Sequence, residues 1–378
     1  MIQEEYFGTG SIETLSKIIS EHKSKKTFLV TGKKSYRSSG AENLLNKFLK
    51  YSEVFQFNEF SENPKLEDIE SGIEQFKKSG GEIVIAVGGG SVIDIAKLIN
   101  ILSCQCKDAI NYVEGRANIL KKGTTMIAIP TTAGAGSEST HFAVVYENKE
   151  KFSVAHEYIL PDISIIDPQL TFSLPPKITA TSGIDALSQA IESYWCVNSN
   201  EKSKSLSEEA IKLVLKNLSA AVNDPQIENR VNMSKAANLA GKAINITKTT
   251  APHAVSYSMT SYFGVPHGQA VSLTLGEFLM YNYEVTDKDF SDKRGAAYVK
   301  KSLNELIKIM ECRNIDEAKE KITQLMIDIG LKTKLSELNI NSENDLKLIE
   351  ENVNLQRLQN NPRKISKEGL KIILRNIL

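Results

Sequence analysis

A nearly all-apolar run, EIVIAV (82–87), ends in three consecutive glycines and passes directly into the helical pattern SVIDIAKLIN. A strand apolar on both faces must be covered on both faces. A turn without Cβ atoms directly after it lets backbone N–H groups approach an anion at the start of the next helix. Few folds other than an open, mainly parallel α/β sheet accommodate that sequence of events. TFLVTG (27–32), EVFQF (53–57), TTMIAIP (124–130) and ISIID (163–167) read as further strands, separated by helical stretches such as SGAENLLNKFLK and the segment around 66–78. After Pro168 the texture becomes helical. SLPPKITATSGIDALSQAIESYW opens with two prolines suited to a first helical turn, and SLNELIKIM and EAKEKITQLMIDIG keep a 3.6-residue period. The expected organisation is an α/β domain over 1–170 and an all-α domain over 171–378.

Charge narrows the function. With 46 Lys+Arg against 46 Asp+Glu the formal net charge is zero, which gives no footprint for duplex nucleic acid. The start lacks the apolar core of a signal peptide, and no apolar run approaches membrane-spanning length. Four cysteines without a CxxC pair form neither a disulfide framework nor a zinc knuckle. The expectation is a cytoplasmic, reduced protein with a small-molecule partner.

Gly88-Gly89-Gly90-Ser91 is compatible with a plain tight turn as well as with a phosphate cradle. Ser91 and Asp94 have the spacing of a helix-capping pair. The standard GxGxxG is absent, because Ile93 stands where its last glycine would be. A second loop, IPTTAGAGSEST (129–140), gathers hydroxyls and glycines after a buried strand, where phosphate and ribose contacts are made in such sheets. Two loops of this kind point to a nucleotide crevice. In the second half, Asp185 lies in an apolar helical setting, and His253 and His267 share one stretch, the first on a helix and the second in the turn VPHG. A carboxylate with two imidazoles suits iron or zinc. The plainer alternative is a helix-capping aspartate and two core histidines.

Taken with GGGSVIDIAK (88–97), PTTAGAGSEST (130–140), LPPKITATSGIDALSQAIES (174–193) and HAVSY…VPHG (253–268), the chain resembles the iron-containing (group III) alcohol dehydrogenase superfamily, with dehydroquinate synthase-like architecture. The resemblance implies a Rossmann-like nucleotide domain, an all-helical metal and substrate domain, a homodimer, and a nicotinamide cofactor. It implies that Gly89, Gly90 and Ser91 hold the pyrophosphate, that Asp94, Lys97, Thr131 and Thr132 line ribose and nicotinamide, and that Asn63 approaches from another loop. It further implies metal ligation by Asp185, His253 and His267. The family's Asp-x-x-x-His becomes Asp185-x-x-x-Gln189 here, and a glutamine oxygen is a weak neutral donor. Loose binding of Fe2+ or Zn2+, a different ion, or no metal are the alternatives that follow. Tyr257 replaces a further family histidine, which makes Tyr257 and His267 the candidate catalytic pair. Gly32 replaces a frequent acid, and with Lys33 and Lys34 beside it NADP(H) is favoured over NAD(H).

DALSQAIESYW and AINITKTTAPHAVSY look most like phosphonoacetaldehyde reductases, which form 2-hydroxyethylphosphonate. Lys242, Lys248, Thr249 and Arg363 are then the expected donors to an anionic aldehyde. The competing readings are a generic iron-containing alcohol dehydrogenase, a metal-independent reductase like the maleylacetate reductases, a lyase like dehydroquinate synthase, and a degenerate nucleotide-binding protein.

Overall fold

The structure, a computed structural model, describes residues 3–22, 24–50, 52–148 and 150–378. Among these residues eight strands form: β1 (Glu4–Phe7), β2 (Lys26–Thr31), β3 (Glu53–Phe57), β4 (Ile83–Gly88), β5 (Thr125–Pro130), β6 (Phe142–Glu147), β7 (Glu150–Ala155) and β8 (Ile163–Ile166). Six of them make one parallel sheet in the order β1-β8-β5-β4-β2-β3, and β6 pairs antiparallel with β7. The apolar character of β4 follows from its place in that sheet. Val84 and Ala86 join the core on one face with Phe28, Val30 and Phe57, while Ile83, Ile85 and Val87 join the other with Leu29, Ile127 and Ile129. Burying each of these Val, Ile, Leu and Phe side chains contributes roughly 1.5–3 kcal/mol, so a polar substitution at any of them weakens the sheet on whichever face it occupies.

The strand order also locates a crevice. The chain steps from β2 to β3 on one side, then crosses to β4 on the other side of β2. Connections leaving β2 and β4 therefore diverge, and open α/β sheets bind ligands outside the carboxyl ends of such strands. Gly32 follows β2 and the glycine turn follows β4, so the topology places both at that point.

Two compact units are present, one reaching Leu174 and the other running from Pro175 to Leu378. The second is helical, with no strand among its described residues. Its helix Pro176–Trp195 begins with Pro176 at its first turn and buries Ile184, Leu187 and Ile191. Among the described residues no helix is long and apolar enough to cross a membrane.

Two strand features escape the periodicity reading. β1 is an edge strand with only Tyr6 half-buried, so it carries no apolar run, and the hairpin β6–β7 follows directly on the segment read as a loop. The expected capping pair is also corrected. Gly89 is the N-cap of the helix Gly90–Ser103 and no side chain caps it. Ser91 Oγ donates instead to the Glu62 carbonyl, and Asp94 Oδ2 accepts from the Val144 N–H at 3.0 Å.

Candidate active site

In the first unit the two glycine-bearing loops meet. A Cβ on Gly89 would lie 3.3 Å from Thr132 Cγ2, and one on Gly90 only 2.9 Å from Ala135 Cβ and 3.2 Å from Ser137 Oγ. The glycines thus let the helix start and the PTTAGAGSEST loop share one space. That loop is no solvated surface segment: Thr131, Ser137, Ser139 and Thr140 are buried. The Thr131 N–H donates to the Gly88 carbonyl at 3.0 Å, and among the described residues its buried hydroxyl meets no partner. Gly32 is close by, since a Cβ there would sit 3.6 Å from Val92 Cγ2 and 2.2 Å from Ser35 Oγ. Lys33 and Lys34 are exposed beside it. Asn63 is exposed on a loop tied to the glycine turn by the Ser91–Glu62 bond.

Lys97 is 1% exposed, and its ammonium donates to the Thr140 carbonyl, Thr140 Oγ1 and the Phe142 carbonyl at 2.8, 3.1 and 3.0 Å. Burial pulls its pKa down to about 8, against the opposing pull of Asp94 and Glu138. All three of its donors thus have protein acceptors, which ties the helix Gly90–Ser103 to the PTTAGAGSEST loop. Burial likewise raises the Asp94 carboxyl, against the pull of Lys97 and its hydrogen bonds to Val144 and Ser137.

In the second unit, Asp185, His253 and His267 come together with one ligand atom each, all within 4.8 Å of one another. Asp185 and Gln189 lie one turn apart on the helix Pro176–Trp195. His253 is the third residue of the helix Ala251–Phe263, and His267 is the first residue of the helix His267–Tyr283 rather than part of a turn. Asp185 Oδ1 and His253 Nε2 are 3.4 Å apart. Ligand atoms about 2.0–2.2 Å from a tetrahedral ion are separated by roughly that distance. Asp185 and His253 are buried, His267 is half-buried, and the His253 and His267 rings stand 5.3 Å apart. Gln189 Nε2 donates to Asp185 Oδ2 at 3.1 Å. A carboxylate only accepts, so the amide must turn its nitrogen to Asp185. Tyr257 is buried with its ring 6.1 Å from that of His267.

Glu192, which sequence reasoning overlooked, completes the group. It is fully buried, and its Oε1 bonds His253 Nδ1. Burial opposes a charge on His253, but Glu192 and Asp185 outweigh it and hold the imidazole pKa up to about 10. Two carboxylates that favour a proton on this ring equally suit a dication in the proton's place. The residues present therefore fit a divalent metal. The only sequence signal for Glu192 is its place seven residues after Asp185, two turns along one helix face.

The expected anion donors fare unevenly. Arg363 is corrected: its Nε donates to Asp289 Oδ2 at 2.7 Å, its Nη1 to the Tyr281 carbonyl at 2.6 Å and lies 3.5 Å from Glu284, and its guanidinium covers the Tyr281 ring at 4.1 Å. A guanidinium so paired is a structural tie. Thr249 is buried; its carbonyl accepts from Asn360, and its neighbours Thr247 and Thr250 bond Ser193 and Glu192. Lys242 is half-buried and Lys248 exposed just past the helix Ile227–Thr247.

Comparison with known proteins gives this arrangement its class. Residues 3–168 match the profile of the iron-containing alcohol dehydrogenases, and residues 179–378 match the C-terminal region of the same family. The chain belongs to that family, whose members are oxidoreductases of CH–OH and aldehyde groups that use a nicotinamide cofactor and a divalent metal. It is 35% identical to long-chain-alcohol dehydrogenase 1 of Geobacillus thermodenitrificans over 63% of this chain and 61% of that protein. It is 29% identical to the 1,3-propanediol dehydrogenase of Klebsiella pneumoniae over 98% and 96% of the two chains. Among solved structures, the sulfoacetaldehyde reductase from Bifidobacterium kashiwanohense, in complex with NAD+, superposes with a TM-score of 0.89 at 30% identity, covering 99% of this chain and 96% of that one.

Proposed function

We propose that the protein is an NADPH-dependent reductase of a small anionic aldehyde, with phosphonoacetaldehyde, reduced to 2-hydroxyethylphosphonate, as the preferred substrate. The observation that carries the chemistry is the Asp185, His253 and His267 cluster with Glu192 behind it. When bound, the nicotinamide supplies a hydride for the carbonyl carbon and the metal a Lewis acid for its oxygen. In this reading the first unit, to about residue 170, holds the nucleotide through Gly32, Gly89, Gly90, Ser91, Thr131 and Thr132, with Asn63 alongside. The helical unit holds the metal through Asp185, His253 and His267, and Gln189 orients Asp185. Tyr257, beside His267, is the group of this chain suited to return a proton to the product oxygen, directly or through water.

The anionic substrate rests on two supports. Lys242 and Lys248 precede His253 in a chain of zero net charge, and the similar sulfoacetaldehyde reductase is named for an aldehyde bearing a compact anion. The test compares phosphonoacetaldehyde with propanal in wild type, Lys242→Ala and Lys248→Ala. Loss of a charge-assisted contact worth about 1.5 kcal/mol predicts a drop of about tenfold in kcat/KM for the phosphonate and none for propanal in at least one variant. Equal rates for both aldehydes in wild type would remove the phosphonate reading and leave a general alcohol dehydrogenase.

Cofactor choice is tested separately. Wild type should favour NADPH by about tenfold, since no acid at position 32 repels a 2′-phosphate and lysines stand beside it. A Cβ at 32 collides with Ser35 Oγ, so the informative change is Gly32→Asp with Ser35→Ala, which should reverse the preference towards NADH. An unchanged ratio of the two kcat/KM values rules out this role for Gly32.

A further inference from the structure

We infer that Glu192 is a positioning residue that fixes the tautomer of His253 and thereby makes that histidine a metal ligand. The inference rests on the metal-dependent reading above. Thr250 is the N-cap of the helix Ala251–Phe263 and His253 is its third residue. In a capping box the side chain at that third position reaches back to the N-cap N–H, and a Glu or Gln usually does so. Here the position is occupied by His253, whose ring is turned elsewhere, and Glu192 from the helix Pro176–Trp195 serves instead. Its Oε2 accepts from the Thr250 N–H at 2.6 Å and from Thr250 Oγ1 at 2.9 Å, while Oε1 takes His253 Nδ1. Thr250 Oγ1 in turn accepts from Trp195 Nε1 at 2.9 Å.

One fully buried carboxylate thus closes the helix start and engages the ring. Because the carboxylate only accepts, a proton stays on Nδ1, and Nε2, which faces Asp185 Oδ1, is the nitrogen whose proton a metal ion displaces. Outer carboxylates of this kind fix ring orientation and raise ligand basicity, and their loss costs about 10- to 100-fold in metal affinity. Glu192→Gln separates this role from helix capping. The amide oxygen still accepts from Thr250, so the amide NH2 falls opposite Nδ1. Nδ1 must then accept, the ring proton moves to Nε2, and the lone pair needed by a metal is lost without any cavity being made.

Three proteins are compared: wild type, Glu192→Gln and Thr250→Val. The last weakens the cap by removing the hydroxyl but leaves the carboxylate on His253. Each is stripped, reloaded with Zn2+ or Co2+, and followed by metal retention against a graded chelator, by the visible spectrum of the Co2+ form, and by the melting temperature of the metal-free protein. Glu192→Gln should lose about 10- to 100-fold in affinity and alter the Co2+ spectrum. Its metal-free melting temperature should fall no further than that of Thr250→Val, and Thr250→Val should keep wild-type affinity within about threefold. Retention and spectrum unchanged in Glu192→Gln overturn the inference while leaving the metal reading standing. So does equal loss of affinity in both variants, which would make Glu192 a helix cap alone. A wild-type protein that takes up neither ion overturns the metal reading and this inference with it.

Discussion

Asp185→Asn should lower kcat/KM for aldehyde reduction by about a thousandfold and abolish retention of bound metal, while NADPH binding and helical content stay as in wild type. Asp185 is the only carboxylate of the three-residue cluster. It is 5% exposed, and its two oxygens face His253 Nε2 and Gln189 Nε2. An asparagine of the same shape can satisfy one of these but brings a neutral amide where charge is needed. Lewis-acid stabilisation is worth several kcal/mol, and about 4 kcal/mol corresponds to that thousandfold loss. The residues proposed to hold the nucleotide belong to the other unit, so cofactor binding serves as the internal control. A variant within about tenfold of wild type would show that the carbonyl is activated without this cluster.

Gly268→Ala should be the most damaging single methyl in the site. A Cβ there would stand 1.9 Å from the Thr181 carbonyl oxygen, 2.9 Å from the Thr181 carbonyl carbon and 3.0 Å from Asp185 Cβ. The first two are backbone atoms and cannot rotate away, so the helix beginning at His267 must move off the helix that carries Asp185. Overpacking of this sort costs about 1–3 kcal/mol, and a backbone clash belongs at the upper end. The ligand cluster is displaced by the same movement, so metal retention falls together with melting temperature. Gly276→Ala, two turns further along the same helix, provides the contrast. Its Cβ would meet Lys319 Cγ at 3.1 Å, a contact relieved by a shift of a few tenths of an ångström, and the Lys319 carbonyl oxygen only at 3.8 Å. Replacing a mid-helix glycine recovers up to about 1 kcal/mol. Gly276→Ala should therefore be neutral or mildly stabilising. If both glycines tolerate alanine equally, the close approach at Gly268 is not what sets the ligand geometry.

The strand, glycine turn and helix of residues 82–100 were legible because their burial is local: every residue of β4 is buried, and alternation between the two faces writes itself as an unbroken apolar run. Asp185, His253 and His267 were legible as residue types, since few isolated acids and imidazoles occur in apolar helical settings. Their partners were not. Glu192 acquires its role only when a helix start 58 residues later is brought against it, and its seven-residue spacing from Asp185 marks a shared helix face but not that partner. Arg363 read as an available cation because its counter-charge, Asp289, lies 74 residues away along the chain. The acceptors of Lys97, two backbone carbonyls and the Thr140 hydroxyl, also lie more than 40 residues on, where no local pattern reveals them. Gly268 likewise looked like an ordinary glycine until the Thr181 carbonyl occupied the space where its Cβ would be.

The proposed reaction is reduction of an aldehyde with NADPH at a metal held by Asp185, His253 and His267. Its most direct measurement is the aldehyde-dependent loss of NADPH absorbance by protein stripped with a chelator, then by the same protein reloaded with Fe2+ or Zn2+. Stripping should remove the rate, and one of these ions should restore it. A stripped protein that reduces the aldehyde at the full rate would contradict this reading.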